Sequence, residues 1–360
     1  VRSLAVHGSS IVAGTNGYGV YISDDSAATW RTANGDAIPE EDGYVVSGFA
    51  SANGQLLAIV DAIDDEGYVD YSDIYRTINN GESWGYEDLD SLYEYAGYYQ
   101  TYSVVIANDV IYLGTNSGVA RRRFVDGAPW NLPRDPSTVG FTEPTVEALT
   151  TNGSTLYAGT LAGVFRSSNQ GVTWQAVNTG LTATRVYALG QSRGTILAGT
   201  EGSGVFRSAD NGASWQVANN GLRGVYIGAF ATQSDAVYTC TYYDRTAESN
   251  ANNGVYRSLD NGLTWALTSK FPTSNTDPKP ISPQPDVWVI SIDDRNTLYA
   301  GASIGEESYL YASTTNGVSW REISLPSSAL FYPIFAFEDG PGSGMYVGTY
   351  GGGVYWSQNP

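Results

Sequence analysis

One eight-residue phrase, Ser/Thr-x-Asp/Asn-x-Gly-x-Thr/Ser-Trp, recurs along this chain and limits what it can fold into. It is complete as Ser208-Ala209-Asp210-Asn211-Gly212-Ala213-Ser214-Trp215 and as Ser258-Leu259-Asp260-Asn261-Gly262-Leu263-Thr264-Trp265. Residues 167–174 carry Asn169 in the Asp place, and residues 77–84 carry Asn79 there. Looser copies are 23–30, with Ala27 for Gly, and 313–320, with Thr315 for Asp. A phrase returning every 40–55 residues or roughly so belongs to a solenoid, an array or a propeller, in which each repeat buries its apolar face only against its neighbours.

Each repeat reads as four short strands. In the unit 184–219, residues 185–189, 195–200, 204–208 and 214–218 are apolar or alternating runs separated by glycine-bearing turns, the pattern of antiparallel hairpins. The second strand recurs at 11–15, 111–115, 156–160, 298–302 and 345–349. The third recurs as Gly-Val-aromatic-x-Ser at 19–23, 163–167, 254–258 and 353–357. Four-stranded units repeated radially with periodic Gly and aromatic residues define blades. The expectation is an all-β chain, a single β-propeller of four-stranded antiparallel blades. Approximate blade spans are 1–40, 44–90, 101–135, 145–180, 184–222, 225–270, 286–325 and 331–360. First, second and third strands count to eight and fourth strands to seven, so eight blades with the last incomplete are expected, seven being the alternative. A strand donated by a partner would complete the last blade.

The phrase itself is a turn. Its Asp/Asn and Ser/Thr side chains bond their own backbone, its Gly takes positive φ, and its Trp is expected between neighbouring sheets. Six such copies resemble the Asp-box, or BNR, repeat family of β-propellers, across essentially the whole chain. That family includes sialidases, xyloglucan-cleaving endoglucanases, sortilin-type receptors and photosystem assembly factors, so the resemblance implies a propeller and leaves its chemistry open. A sialidase resembles a clamp of three arginines on a carboxylate. Here Arg166, Arg207 and Arg257 occupy one repeated third-strand position, which reads as structure. An endoglucanase needs two facing carboxylates and, in that family, a second propeller.

Composition removes other classes. A net charge of −19, with Lys270 and Lys279 the only lysines, excludes a nucleic-acid or anionic-membrane partner. The lone Cys240 sits in an apolar run, which reads as a buried, inert thiol, and the single His7 excludes His-based triads and multi-histidine metal sites. No apolar run is long enough to span a bilayer, so no membrane insertion is expected. A start at Val1 inside an expected strand, with acidic, Lys-poor composition, reads as a processed, exported chain: extracellular, cell-surface or periplasmic.

Function is expected where the chain departs from its repeat. Residues 36–94 hold fifteen acidic residues and one basic, Arg76. Asp61, Asp64, Asp65, Glu66, Asp70 and Asp73 read as a long loop between second and third strands, whose carboxylates are candidates for Ca²⁺; no other cofactor is expected. Tyr93, Tyr95, Tyr98, Tyr99 and Tyr102 between the second and third units, and Tyr242 and Tyr243 further on, are candidates for stacking on a protein or a sugar. Arg121, Arg122 and Arg123 form a basic cluster suited to docking, and residues 271–285, with five prolines, read as a surface excursion. The expected role is a non-catalytic scaffold or subunit of a larger surface complex, binding a protein or glycan. The alternative is a carbohydrate-binding propeller or a glycoside hydrolase or lyase.

Overall fold

Gly-Val-aromatic-x-Ser sets a β-branched and an aromatic residue between two small ones, and in the computed structural model each copy is the third strand of an antiparallel meander; those at 163–167, 204–208 and 254–258 are buried throughout except at the fourth residue. The structure describes residues 3–25, 29–52, 54–66, 69–87, 100–123, 128–131, 136–223, 225–233, 235–242, 253–272, 285–292, 296–304, 307–323, 334–340, 344–349 and 353–357. Among them lie eight sheets, each with its strands in chain order. The first is Ser3–His7, Ser10–Gly14, Val20–Ser23 and Arg31–Thr32, and the second Tyr44–Ala52, Gln55–Ile63, Val69–Thr77 and Gly85–Tyr86. The third has three strands, Thr101–Ala107, Val110–Thr115 and Gly118–Arg123, and a two-way bridge between Arg121 and Asn131 stands where a fourth would pair. The fourth to seventh have four strands each and begin with Val146–Asn152, Val186–Ser192, Ile227–Thr232 and Asp286–Ile292. The eighth is Ile334–Gly340, Gly344–Thr349 and Gly353–Ser357. One segment differs from expectation: the acidic stretch is a hairpin of two nine-residue strands, with Asp61 opposite Ser72 and Val60 opposite Asp73. Of the excursion expected over 271–285, residues 273–284 lie outside the described residues, and Phe271 at its start is buried, stacked 4.3 Å from Tyr311.

The chain forms two compact units, residues 1–149 with 335–356 and residues 150–334 with 357–360. In the first, the first strand of the second sheet packs on that of the first sheet, and the third sheet packs on the second. In the second unit the first strands of the fifth, sixth and seventh sheets pack in series. The core lies between successive sheets. Val12, Ile22, Leu56 and Trp84 share one layer, Tyr157, Val164, Phe206 and Trp215 another, and Val205, Val237, Tyr256 and Trp265 a third.

The repeated phrase closes the third-to-fourth turn of its sheet with its own side chains. The Ser208 hydroxyl donates to Asp210 Oδ1 (2.7 Å) and accepts from the Gly212 N–H (2.8 Å). Asp210 accepts the Ser214 N–H (2.9 Å) and hydroxyl (2.6 Å). The copy at 258–265 repeats this, and in the loosest copy the Thr315 hydroxyl takes the carboxylate's place for the Ser319 N–H. Two consecutive residues turn left-handed, Asn211 (φ 57°) and Gly212 (φ 83°). This is why Asn, the side chain most tolerant of that region, precedes the glycine in four copies, at 80, 211, 261 and 316.

The same turn ties each sheet to the one before it. Trp215 Nε1 donates to the Val177 carbonyl (2.5 Å), Trp265 to that of Ala218 (2.9 Å) and Trp84 to that of Ala33 (2.5 Å). In return Arg166 and Arg207 donate to the carbonyls of Asn211 and Asn261 in the next sheet's turn, both at 2.9 Å. Arg166 and Arg207 are structural, as their repetition implied, whereas Arg257 lies over the Tyr238 ring of its own sheet at 5.9 Å.

At the opposite end of the sheets, where second strand turns into third, a different device operates. The fourth strand has only two ladder residues, Gln216–Val217, and the Asn219 amide continues the ladder beyond them. Its Oδ1 accepts the Val205 N–H (2.8 Å) and its Nδ2 donates to the Ser203 carbonyl (2.8 Å). Asn178 does the same for Val164 and Ala162. A Cβ at Gly204, which sits at φ 75°, would overlap the Asn219 side chain, so glycine opens the third strand.

Candidate functional site

An antiparallel meander has two ends. The repeated turns occupy one and are satisfied internally; the other carries the second-to-third hairpins and the starts of the first strands. Five first strands hold a β-bulge close to that second end, with Ser47, Tyr102, Tyr187, Gly228 and Trp288 at the irregular step. A bulge re-aims a side chain out of the pleat. Tyr102 and Trp288 are accordingly 42% and 43% exposed, each the one exposed residue of a strand that is otherwise half-buried or buried. Glu147, following Val146 in the fourth sheet, occupies the matching place in sequence.

In the second unit the bulges build an aromatic surface. Trp288 donates from Nε1 to Ser303 Oγ (2.9 Å), which fixes the plane of the indole. Tyr242, just past the second strand of the sixth sheet, lies 4.5 Å from it, with the rings tilted by 32°. Tyr226 stands 6.0 Å from Tyr242 on the other side. Burial, then the nearby charge of Glu201 and the Tyr187 ring, raise the Tyr242 hydroxyl above its ordinary pKa. Glu201 pairs with Arg185 at 2.9 Å on the exposed rim. Asn253, which precedes the third strand of the sixth sheet, is buried and donates to Asp286 Oδ1 (2.5 Å).

In the first unit Tyr102 has polar and acidic neighbours. Its hydroxyl donates to Gln100 Oε1, and Gln100 Nε2 donates to the Val69 carbonyl. The Thr101 N–H donates to Ser72 Oγ (3.0 Å), which donates to the buried Asp61 (2.5 Å). Burial, then the charges of Glu147 and Asp61, raise the Tyr102 pKa. Tyr44 and Tyr71 meet hydroxyl to hydroxyl at 3.5 Å.

The residues singled out from sequence divide sharply. Tyr93, Tyr95, Tyr98, Tyr99 and Tyr243 lie outside the described residues. Tyr102 and Tyr242 both stand at the bulged ends, each in its own unit. Of the acidic set, Asp61 is buried in the ladder on Ser72, Asp64 accepts the Glu66 N–H (3.0 Å), and Asp73 accepts the Tyr86 hydroxyl (3.1 Å). Asp65, Glu66 and Asp70 point to solvent. Among the described residues no three His, Cys, Asp or Glu side chains converge as a metal-holding group. The three arginines are not one basic face, because successive strand residues point to opposite sides. Arg122 is 3% exposed, ion-paired to Glu87, and lies over the Trp130 ring at 5.7 Å. Cys240 is fully buried, and desolvation pushes its pKa up to about 12, which leaves it unreactive.

Trp288, Tyr226, Tyr187, Glu147 and Glu201 escaped the sequence reading. A signal was present: when the first strands are laid in register, one place after a β-branched residue varies as Ser47, Tyr102, Glu147, Tyr187, Gly228 and Trp288. Within each unit, exposed rings of this kind can stack on flat groups, and the carboxylates beside them can accept hydrogen bonds and attract positive charge.

Successive antiparallel meanders packed through their first strands define a β-propeller protein. Residues 96–347, well over half of the chain, match the family model described as the DUF6242 beta propeller domain, and the chain belongs to that family. No curated protein matches it in sequence. Among solved structures it resembles the computationally designed Ika8 protein, with a TM-score of 0.66 at 12% identity over 99% of this chain and 95% of that one. It also resembles YCF48 bound to D1 peptide, with a TM-score of 0.55 at 15% identity, covering 84% and 89% of the two chains. The GH74 xyloglucanase from Xanthomonas campestris gives 0.53 at 16% identity over 100% of this chain and 52% of the enzyme, so this chain spans about half its length. Identities this low establish a shared fold.

Proposed function

We propose that this propeller is an exported, non-catalytic binding scaffold that holds a protein partner at the bulged ends of its sheets, and that its repeated turns are Asp-boxes. The observation that carries the reading is Trp288, an indole 43% exposed, oriented by Ser303 and backed by Tyr242. Exposing an indole costs burial free energy of about 1.5–3 kcal/mol, and rigid aromatics of this kind anchor protein interfaces. YCF48, which shares the fold, has been solved with a peptide bound. A second reading rests on the same rings: an exposed Trp beside a tilted Tyr offers a sugar a flat apolar face, so a glycan is the alternative ligand.

The test is a peptide array and a glycan array probed with the same protein, followed by titration of the hits against Trp288→Ala and Tyr242→Ala. Loss of affinity of about tenfold or more in both variants, at unchanged melting temperature, supports the site. Ligands held equally well by both variants would sink it. Export is tested by fractionating source cells and finding which compartment holds the chain.

A further inference from the structure

We propose that Tyr102 and Glu147 form a subsite for an organic cation, the guanidinium or ammonium group of an Arg or Lys side chain on the bound polypeptide. This deepens the reading of a protein partner and rests on it for the partner's nature, though not for the cation chemistry. Glu147 stands in its first strand where other sheets place Tyr187 or Trp288, so its carboxylate is set among binding positions. It is half-buried, and burial raises its pKa. Among the described residues it has neither an ion pair nor a hydrogen bond, so a half-buried carboxylate still open to solvent stands without a counter-charge. A ligand cation would supply one.

The neighbours agree on the sign of the charge. Tyr102 projects an exposed ring from its bulge, and the next residue, Ser103, meets Val146 over Gly114, where a Cβ would touch both, so the first strands that carry Tyr102 and Glu147 lie side by side. The Tyr102 hydroxyl feels the charges of both Glu147 and Asp61. The ring's face attracts a cation, and the two carboxylates add to that attraction. No internal cation competes in the second sheet, because its one basic residue, Arg76, donates to Glu87 at 2.6 Å. Arg122 is bound to the same carboxylate. Arg123 pairs with Val110, at the end of the third sheet remote from Tyr102. A metal ion fits less well than an organic cation: no three ligating side chains converge among the described residues, whereas an aromatic face is present.

The experiment titrates the full chain with N-acetylarginine amide and with its neutral isostere N-acetylcitrulline amide, reading the ring signals of Tyr102 by NMR. The expected result is a saturable shift with the arginine compound alone, weakened by added salt. Glu147→Gln should weaken it about tenfold. The same variant should melt at an equal or higher temperature, since it removes an unpaired, half-buried charge. Equal binding of citrulline, an unchanged affinity in Glu147→Gln, or a destabilised Glu147→Gln would each overturn the proposal. So would a shift produced by Ca²⁺ and abolished by that variant, which would make the site a metal site. Peptide binding that survives without an arginine response sinks the subsite alone, and an arginine response with no peptide on the array sinks only the protein-partner reading.

Discussion

Replacing Asn219 by Ala removes the amide that extends a two-residue fourth strand. Two hydrogen bonds disappear, and they differ in cost. The Ser203 carbonyl is partly exposed, so water replaces Asn219 Nδ2 there at little expense. The Val205 N–H belongs to a residue with no exposure, and stranding it costs about 1–3 kcal/mol. A loss of about 2 kcal/mol from the local opening free energy accelerates amide exchange at Val205 about 30-fold. The hairpin it anchors contacts the bulged end: the Gly202 and Gly204 N–H groups donate to the Val225 carbonyl, and the Tyr242 N–H donates to that of Tyr226. Exchange should therefore rise at Gly202, Gly204 and Tyr242 as well, while the Asp210 turn at the other end keeps its protection. Hydrogen exchange read by mass spectrometry on peptides covering 200–206 and 210–217 separates the two ends. Asn219→Asp retains the acceptor for Val205 and loses only the exposed donor, so its 200–206 peptide should exchange close to the wild-type rate. Ala and Asp variants that behave alike, or an Ala variant whose exchange rises less than about threefold, would refute the assignment of the ladder to the amide oxygen.

Two further perturbations test the interior and the turns. Glu87→Gln should destabilise the first unit by about 3–5 kcal/mol, because it leaves the buried Arg122 without its carboxylate; a urea midpoint equal to wild type would contradict the pairing. Hydrogen bonds from the Ser214 hydroxyl and N–H, then from Ser208, lower the Asp210 pKa from 3.8 to about 2. Its contribution is therefore present above the unfolded-state value near 3.8 and is lost as pH falls through about 2. Asp210→Asn, which copies the natural Asn79 and Asn169, should match wild type at pH 7 and lose less stability between roughly pH 4 and 2; parallel acid curves would count against it.

The turns were legible because their chemistry is local: Ser208, Asp210, Gly212 and Ser214 satisfy one another within seven residues. The Gly-Val-Phe-Arg-Ser strands were legible for the same reason, since a glycine opening and a β-branched and aromatic pair mark a strand within five residues. The acidic hairpin was misread because charge was weighed above alternation. Asp61 and Asp73 sit in strands among Ala58, Ile59, Val60 and Ile74, and Asp61 finds its partner eleven residues away on the facing strand. Arg122 looked like a surface charge because its counter-ion, Glu87, lies in another sheet. The aromatic surface was hardest to see. Trp288 and Tyr242 are distant in sequence, and only the bulge turns Trp288 outward.

These differences share one physical cause. At the end of the sheets that carries the repeated turns, side chains are fully engaged: Asp with its own turn, Trp and Arg with the neighbouring sheet. A substitution there breaks two sheets at once, so the phrase recurs with few changes. At the other end the holding group is a backbone-mimicking amide, Asn178 or Asn219, which makes no demand on the first-strand residue beside it. The bulge position can then change from Ser47 to Tyr102, Tyr187, Gly228 and Trp288 without cost to the ladder, with Glu147 at the matching place in the fourth sheet. A fold that repeats its supports and varies its bulges separates stability from recognition along every strand, which places the search for ligands at Trp288 and Glu147 rather than at the acidic turns.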